Sequence, residues 1–189
     1  MATDAKETAK QENGSRVYFE AYIESKIKDF NVLYKLVQKV YPDVSNEWME
    51  SYRKQAQALK KYLGSTNKNY NYSRDDGFMP YIEDIAKKKC GVTNKDRWNP
   101  ADIYMIENNK ENEVKKKLKD ITQSSDKDMN LLSLNSYMKS LMNDKIMIPI
   151  SLKAIAMKTK EAKCEAANMG NKGGNYEFKV KKDSIKCIL

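Results

Sequence analysis

The sequence contains no histidine. Histidine is the usual general acid or base near neutral pH and the commonest metal-ligating side chain in proteins. Its absence excludes Ser-His and Cys-His nucleophile pairs as well as histidine-ligated metal sites. Any catalysis must therefore depend on carboxylates, lysine, hydroxyl groups, or an ion such as Mg²⁺ that carboxylates hold.

Cysteine and long apolar runs are also scarce. The chain has only three cysteines, none of them in a Cys-x-x-Cys pair: Cys90, Cys164 and Cys187. An odd number without that spacing argues against a disulfide framework or a zinc site and favours buried thiols in a reducing compartment. No apolar run approaches the length of a membrane-spanning helix, and the N-terminus lacks a hydrophobic signal region. We therefore expect no membrane partner and no secretion through a signal peptide.

The chain is rich in basic residues, with 35 Lys+Arg against 26 Asp+Glu and a net charge of +9 over 189 residues. This excess favours a polyanionic partner such as nucleic acid. Most of the charge is lysine scattered along predicted helices, and the Lys115–Lys119 run is typical of a solvated helix face. A composition heavy in lysine and asparagine also arises from genome base composition. Charge therefore gives the nucleic-acid hypothesis only modest support.

The N-terminal third is predicted to be helical. Residues 1–14 lack large apolar side chains and predict a flexible tail. Over 15–41, apolar residues recur every three or four positions, which predicts one amphipathic helix of about seven turns. A second helix over about 46–63 completes an antiparallel helical hairpin spanning 15–64. Three side chains are available to cap the start of this second helix: Asp43, Ser45 and Asn46.

A long polar segment, residues 65–77, follows the hairpin and predicts a loop. It contains Tyr70, Tyr72 and Arg74. Aromatic rings beside a cation suit the stacking of single-stranded bases. An ordinary solvated loop is the alternative interpretation, and we favour it.

The remainder predicts an α+β fold, with α/β-like alternation of helices and strands. A helix over about 79–90 precedes an apolar strand that ends at Ile106, two helical segments follow, and a second apolar strand covers 146–153. The composition of the last part predicts a helix ending near Gly170. Two more strands are predicted after it. The result is a small mixed sheet of about four strands, flanked by helices.

Polar groups occupy the ends of the two apolar strands, where a plain core strand would avoid them. Asp102 stands at the head of the first strand, and Ser151 and Lys153 stand at the end of the second. Carboxylates that hold Mg²⁺, together with a lysine near the scissile phosphate, suit phosphodiester hydrolysis. The simpler alternatives are that Asp102 caps a turn after Asn-Pro and that Lys153 reaches solvent.

Two short motifs carry a family resemblance. Pro100-Ala101-Asp102 and Ser151-Leu152-Lys153, in the order helix, strand, strand, helix, strand, resemble the PD-(D/E)xK nuclease superfamily over residues 79–189. The pairing also resembles a class of large-phage proteins of that general type. The resemblance implies a viral or phage DNA-binding protein of the host cytoplasm or virion, with Mg²⁺-dependent endonuclease activity. It implies a catalytic set of four residues, of which the first two would hold the metal: Asp102, Glu83, Ser151 and Lys153.

The sequence departs from the superfamily pattern in two respects. Ser151 stands where the family has its second acidic residue, and a hydroxyl is a poorer Mg²⁺ ligand than a carboxylate. Two helices are also inserted between Asp102 and Lys153. Glu83, on the helix before the first strand, is the residue that would compensate, and Glu107 is a weaker candidate.

These departures leave a second function open. The alternative is a non-catalytic structural or interaction protein of the virion that keeps the nuclease-like fold and contacts DNA or other virion proteins. In both cases we expect DNA contacts from a basic predicted strand and from the polar loop. The residues concerned are Lys179, Lys181, Lys182 and Arg74. The oligomeric state is not predicted.

Overall fold

The computed structural model describes residues 5–94, 98 and 101–152. In this part of the chain six helices and three strands form an α+β fold, which confirms the predicted class. The chain divides into two compact units between Tyr72 and Ser73. The helix and the two strands predicted after residue 153 lie outside the described residues. The elements are α1 Ala5–Ile23, α2 Phe30–Gln38, α3 Asn46–Leu63, β1 Tyr70–Ser73, α4 Phe78–Cys90, β2 Ile103–Glu107, α5 Glu111–Ile121, α6 Lys127–Asn143 and β3 Met147–Ile150.

The first unit contains three helices, not the predicted hairpin of two. The single helix predicted over 15–41 is wrong, because the chain leaves the helical conformation between α1 and α2. Lys26 has a φ of 55°, which no right-handed helix accommodates. The carboxylate of Asp29 then accepts a hydrogen bond of 3.0 Å from the Val32 N–H and so caps a new helix.

The predicted flexible tail is also wrong, because α1 begins at Ala5. Close packing against α3 holds this polar segment in place. Gly14 is buried against Tyr52, whose hydroxyl lies 2.8 Å from the position that a Cβ on Gly14 would occupy. The same hydroxyl donates a hydrogen bond of 3.0 Å to the carbonyl of Gln11. A glycine that looks like the end of a tail therefore makes room for a buried tyrosine.

The third helix follows the prediction. The Ser45 hydroxyl accepts a hydrogen bond of 3.3 Å from the Trp48 N–H, so Ser45 is the N-cap. Gly64, with a φ of 68°, ends the helix in a conformation that favours glycine. Four apolar residues at helical spacing on α3 are buried: Tyr52, Ala56, Leu59 and Leu63.

The polar loop predicted over 65–77 is wrong at its centre, where β1 forms. Tyr70 and Tyr72 are only 4% and 7% exposed. The Tyr72 hydroxyl donates a hydrogen bond of 3.1 Å to the carboxylate of Glu24. Base stacking needs accessible ring faces, so these two rings do not provide them.

The strands form one sheet in the order β1-β2-β3. β2 and β3 are antiparallel, with Ile103 opposite Ile150 and Ile106 opposite Met147. Side chains from Ile103 to Ile106 are fully buried, which confirms that this strand is covered on both faces. Of the four strands that the sequence predicts, two are β2 and β3 and the other two lie outside the described residues, whereas β1 was not predicted.

In the second unit, helices α4, α5 and α6 share one apolar core with β2 and β3. The ring of Phe78 meets that of Tyr104 edge-on, with centroids 6.0 Å apart, which joins α4 to β2. The buried amide of Asn130 ties the start of α6 to its surroundings: it donates to the carbonyls of Lys89 and Ser124, each at 2.9 Å. Its side-chain oxygen accepts from the Ser124 N–H at 3.0 Å.

Candidate functional site

Asp102 and Ser151 lie at the same end of two neighbouring strands. Asp102 directly precedes β2, and Ser151 directly follows β3. The N–H of Asp102 donates a hydrogen bond of 2.8 Å to the carbonyl of Ile150, although the strand register sets Ile150 opposite Ile103. Two residues of one strand therefore face one residue of the other, which is the arrangement of a β-bulge. Bulges redirect side chains and are common beside active sites.

The other end of the β2–β3 strand pair is regular. The N–H of Glu107 donates to the carbonyl of Ile146 at 2.8 Å, which continues the register of the two strands. The irregularity of the β2–β3 pair is therefore confined to the Asp102 end. Asp102 and Ser151 are both half-buried, at the point where the strands leave the core. The structure thus places the backbones of Asp102 and Ser151 at the same end of two adjacent strands.

Glu83 lies in α4, the helix that packs against β2. It is half-buried, while Ile82 before it is fully buried and Asp84 after it is exposed. Glu83 is therefore at the border between the core-facing and the solvent-facing sides of α4. Both Glu83 and Asp102 have interactions within the protein.

The donor set for a metal at this end of the sheet is small. In the described part of the chain, no three Asp, Glu or Cys side chains converge as a metal-binding group. An ion there would draw a carboxylate ligand from Asp102, with the Ser151 hydroxyl as a neutral donor. Mg²⁺ accepts such a set, because it is commonly bound through one or two carboxylates plus water and phosphate oxygens. Lys153, the predicted fourth member, lies outside the described residues.

Of the predicted DNA contacts, only Arg74 is described. Its side chain is 15% exposed and is ion-paired with Asp75. The guanidinium is therefore engaged within the protein. The other three predicted contacts lie outside the described residues: Lys179, Lys181 and Lys182.

The positive charge is unevenly distributed along the sequence. Residues 73–151 contain 14 Lys+Arg against 13 Asp+Glu, so this span is almost neutral. Residues 1–72 contain 12 against 9, and residues 152–189 contain 9 against 4. The lysines at 116, 117 and 119 are exposed on α5, as predicted for a solvated helix face. The net positive charge of the chain therefore lies mainly outside the 73–151 span.

The sequence analysis missed one half-buried carboxylate, Glu24. Burial raises its pKa, although hydrogen bonds from the Tyr72 hydroxyl and the Tyr70 backbone oppose this effect. Glu24 and Tyr72 are far apart in sequence, and no local pattern pairs them. In the sequence, a glutamate just after a predicted helix looks like any other solvated residue.

One prediction about cysteine is confirmed. Cys90 is a free, buried thiol at the end of α4, and burial raises its pKa to about 11. Cys90 is therefore a core residue whose reactive thiolate form is disfavoured. The other two cysteines lie outside the described residues.

Among the described helices, none has the length and apolar character needed to cross a membrane. In comparisons with known proteins, no family model matches the chain, and neither a curated protein nor a solved structure is similar to it.

Proposed function

We propose that the chain is a nuclease-like DNA-binding protein of viral or phage type, in which the phosphodiester backbone is contacted at the Asp102–Ser151 end of the sheet. The observation that carries this proposal is the placement of these two residues at one end of adjacent antiparallel strands. The resemblance to the PD-(D/E)xK superfamily assigns its acidic positions to these two residues. The bulge at Asp102 adds support, because it alters the backbone at this end only.

The chemistry available at this end is limited by Ser151. When bound, a divalent ion would lower the pKa of a water molecule and neutralise the phosphate. Asp102 and Glu83 would hold it, and Lys153 would stabilise negative charge developing on the phosphate. Because the Ser151 hydroxyl carries no charge, the carboxylates of Asp102 and Glu83 must supply all the negative charge with which the protein neutralises the ion. Cleavage is therefore slow in this proposal.

A second function, DNA binding without cleavage, is favoured by the same residue. Replacing an acidic ligand with serine is a direct way for a nuclease-like site to lose its metal. The two functions share DNA binding and differ only in whether phosphodiester bonds are hydrolysed. Cleavage assays therefore separate them.

The test is nicking of supercoiled plasmid in Mg²⁺ or Mn²⁺ by the wild type and three variants. Asp102→Asn should abolish cleavage, and Ser151→Glu should create or increase it. Glu107→Gln is the matched control, because Glu107 is a half-buried carboxylate at the other end of β2. The control should leave the rate unchanged.

Two results separate the proposals. A wild type that binds DNA without nicking it, and gains nicking on Ser151→Glu, supports the non-catalytic function on a nuclease-like scaffold. No gain from Ser151→Glu in a folded protein that still binds metal would reject the nuclease lineage. DNA affinity that does not change between low and moderate salt would reject DNA binding itself, because phosphate contacts release counterions.

A further inference from the structure

Helix α6 carries large apolar side chains on the side that faces away from the core of the second unit. Leu134 and Met138 are fully buried on the inner side of the helix. On the outer side, Met129 is 54% exposed and Leu132 is 51% exposed, the highest values among the exposed large hydrophobic residues of the described chain. Single apolar residues are common on protein surfaces, but these two lie one turn apart on one helix. The second unit therefore leaves an apolar strip of α6 in contact with water.

The exposed side of α6 carries no charge along its middle. Residues 129–138 contain no Asp, Glu, Lys or Arg, although charged residues make up 32% of the chain. Two small exposed side chains, Ser136 and Ser140, lie beside Met129 and Leu132. At about 100° per residue, all four lie within about 65° of the direction opposite the buried side of the helix. We call these four residues the outer face of α6.

Charged residues of opposite sign flank the outer face of α6. Asp128 precedes it and Lys139 lies near its end. On the helical projection both lie on the same flank, next to Leu132. They are about 17 Å apart along the axis, at about 1.5 Å per residue, so they cannot pair with each other within one chain. Among the described residues, neither side chain forms an ion pair.

We infer that the outer face of α6 binds the outer face of α6 in a second copy of the chain, with the two helices antiparallel about a two-fold axis level with residue 134. Every contact then occurs twice, because a two-fold interface joins the same patch on both subunits. Leu132 lies opposite the partner's Ser136, and Met129 lies within one residue step of the partner's Ser140. Large side chains therefore meet small ones, which lets the ridges of one helix enter the grooves of the other.

The charges identify the occupant as a second copy in the antiparallel orientation. About the two-fold axis, Asp128 is within about 1.5 Å of the level of the partner's Lys139 and lies on the same flank of the interface. Two ion pairs of opposite sign result. A parallel arrangement would instead set Asp128 against the partner's Asp128, and like charges repel. Because the net charge of +9 opposes contact between two copies, a neutral face with complementary charges at its rim is where contact costs least.

This interface is small, because one helix from each copy forms it. Stable interfaces bury about 800 Å² on each partner, which is more than a single pair of helix faces supplies. The dimer should therefore be weak and should depend on protein concentration. The inference is independent of the proposed function, since neither Asp102 nor Ser151 belongs to α6.

The first test is the molar mass in solution, measured by sedimentation equilibrium over a range of concentrations. The wild type should rise from 21.9 kDa towards twice that mass as its concentration increases. Leu132→Glu should remove this rise, because it places a charge near the two-fold axis. Val32→Glu is the matched control: Val32 is 44% exposed on α2 in the first unit, so the chemical change is the same, and it should leave the rise intact.

Charge reversal tests the antiparallel pairing. Asp128→Lys alone and Lys139→Glu alone each set like charges at both contacts and should weaken the dimer on the order of tenfold. A one-to-one mixture of the two variants restores opposite charges at both contacts, so it should associate more tightly than either variant alone. A defect within one chain would persist in the mixture, so only contact between chains produces this result.

Three outcomes would overturn the inference. They are a wild type that stays monomeric up to about 1 mM, equal effects of Leu132→Glu and Val32→Glu, and a mixture that associates no more tightly than its components. A monomeric wild type that binds phosphatidylglycerol vesicles, with binding lost in Leu132→Glu, would assign the face to a lipid surface and likewise overturn the dimer. Circular dichroism melting of each variant verifies that it is folded.

Discussion

The hydroxyl of Tyr72 donates a hydrogen bond of 3.1 Å to the carboxylate of Glu24, joining the end of α1 to β1. Tyr72 is buried, and the carboxylate is partly withdrawn from water. A charged group in such a place carries a desolvation cost that the hydrogen bonds only partly offset. The stability of the protein should therefore depend on the protonation state of Glu24.

We predict that Glu24→Gln increases stability at neutral pH. Because burial raises the folded-state pKa of Glu24, the folded protein binds the proton more tightly than the unfolded chain. That stabilisation is complete below the unfolded pKa and is lost as the pH rises through the folded pKa. Gln keeps an oxygen for the Tyr72 hydroxyl and removes the charge. The melting temperature of Glu24→Gln should exceed that of the wild type at pH 7 and approach it as the pH falls towards 4.

Glu47→Gln provides the control for this prediction, because Glu47 is an exposed carboxylate on α3. It should not change how the melting temperature varies with pH. Two results together would contradict the account of Glu24. The stability of the wild type would rise with pH across this window, and Glu24→Gln would show the same rise.

Gly14→Ala is predicted to destabilise the protein, although this change usually stabilises a helix interior by about 0.5–1 kcal/mol. The added Cβ would lie 2.8 Å from the hydroxyl and 3.1 Å from two ring carbons of Tyr52. Tyr52 is fully buried, with rings of Tyr18 and Trp48 beside it, so it has little room to move. Overpacking of this kind typically costs about 1–3 kcal/mol. The free energy of unfolding in urea should fall by about 1 kcal/mol.

Measuring Gly14→Ala in the Tyr52→Phe variant as well tests whether the clash with Tyr52 is the cause of the destabilisation. In Tyr52→Phe the nearest clashing atom is gone, so Gly14→Ala should cost less there than in the wild type. Equal costs in the two backgrounds, or a gain in stability in the wild type, would show that α1 does not pack on α3 as described.

Asn130→Ala should lower the free energy of unfolding by about 2 kcal/mol, because it leaves buried polar groups without partners. The Asn130 side chain is 2% exposed and makes three hydrogen bonds that join α4, the α5–α6 connection and α6. Asn112→Ala, on the exposed face of α5, should change stability by no more than about 0.5 kcal/mol. Similar effects from the two changes would argue against a structural role for Asn130.

The helices that the sequence predicts correctly are those whose ends are encoded locally. α3 has Ser45 at its start and Gly64 at its end, and α4 is stopped by Gly91 in the left-handed conformation. The break between α1 and α2 was missed because the apolar periodicity continues across it. The residue with positive φ there is Lys26, and lysine gives no sign of such a turn.

Features that depend on distant partners were not predictable from local patterns. The N-terminal part of α1 packs on Tyr52 through Gln11 and Gly14, and the strand at Tyr70–Ser73 lies in a polar sequence that is typical of a loop. For the candidate site, the sequence indicated that Asp102 and Ser151 stand at strand ends. Their placement at the same end follows from the register of β2 and β3, which only tertiary hydrogen bonds define.

The most direct test of the proposed function is paramagnetic broadening of amide NMR signals by Mn²⁺ in the presence of a short DNA duplex. The account predicts strong broadening at Asp102, Ile103 and Ser151, abolished by Asp102→Asn. Glu107 is five residues along the same strand, or about 17 Å away, and its signal should broaden far less. Broadening that is uniform along β2, strongest at Glu107, or unchanged by Asp102→Asn would contradict a metal and phosphate site at this end of the sheet.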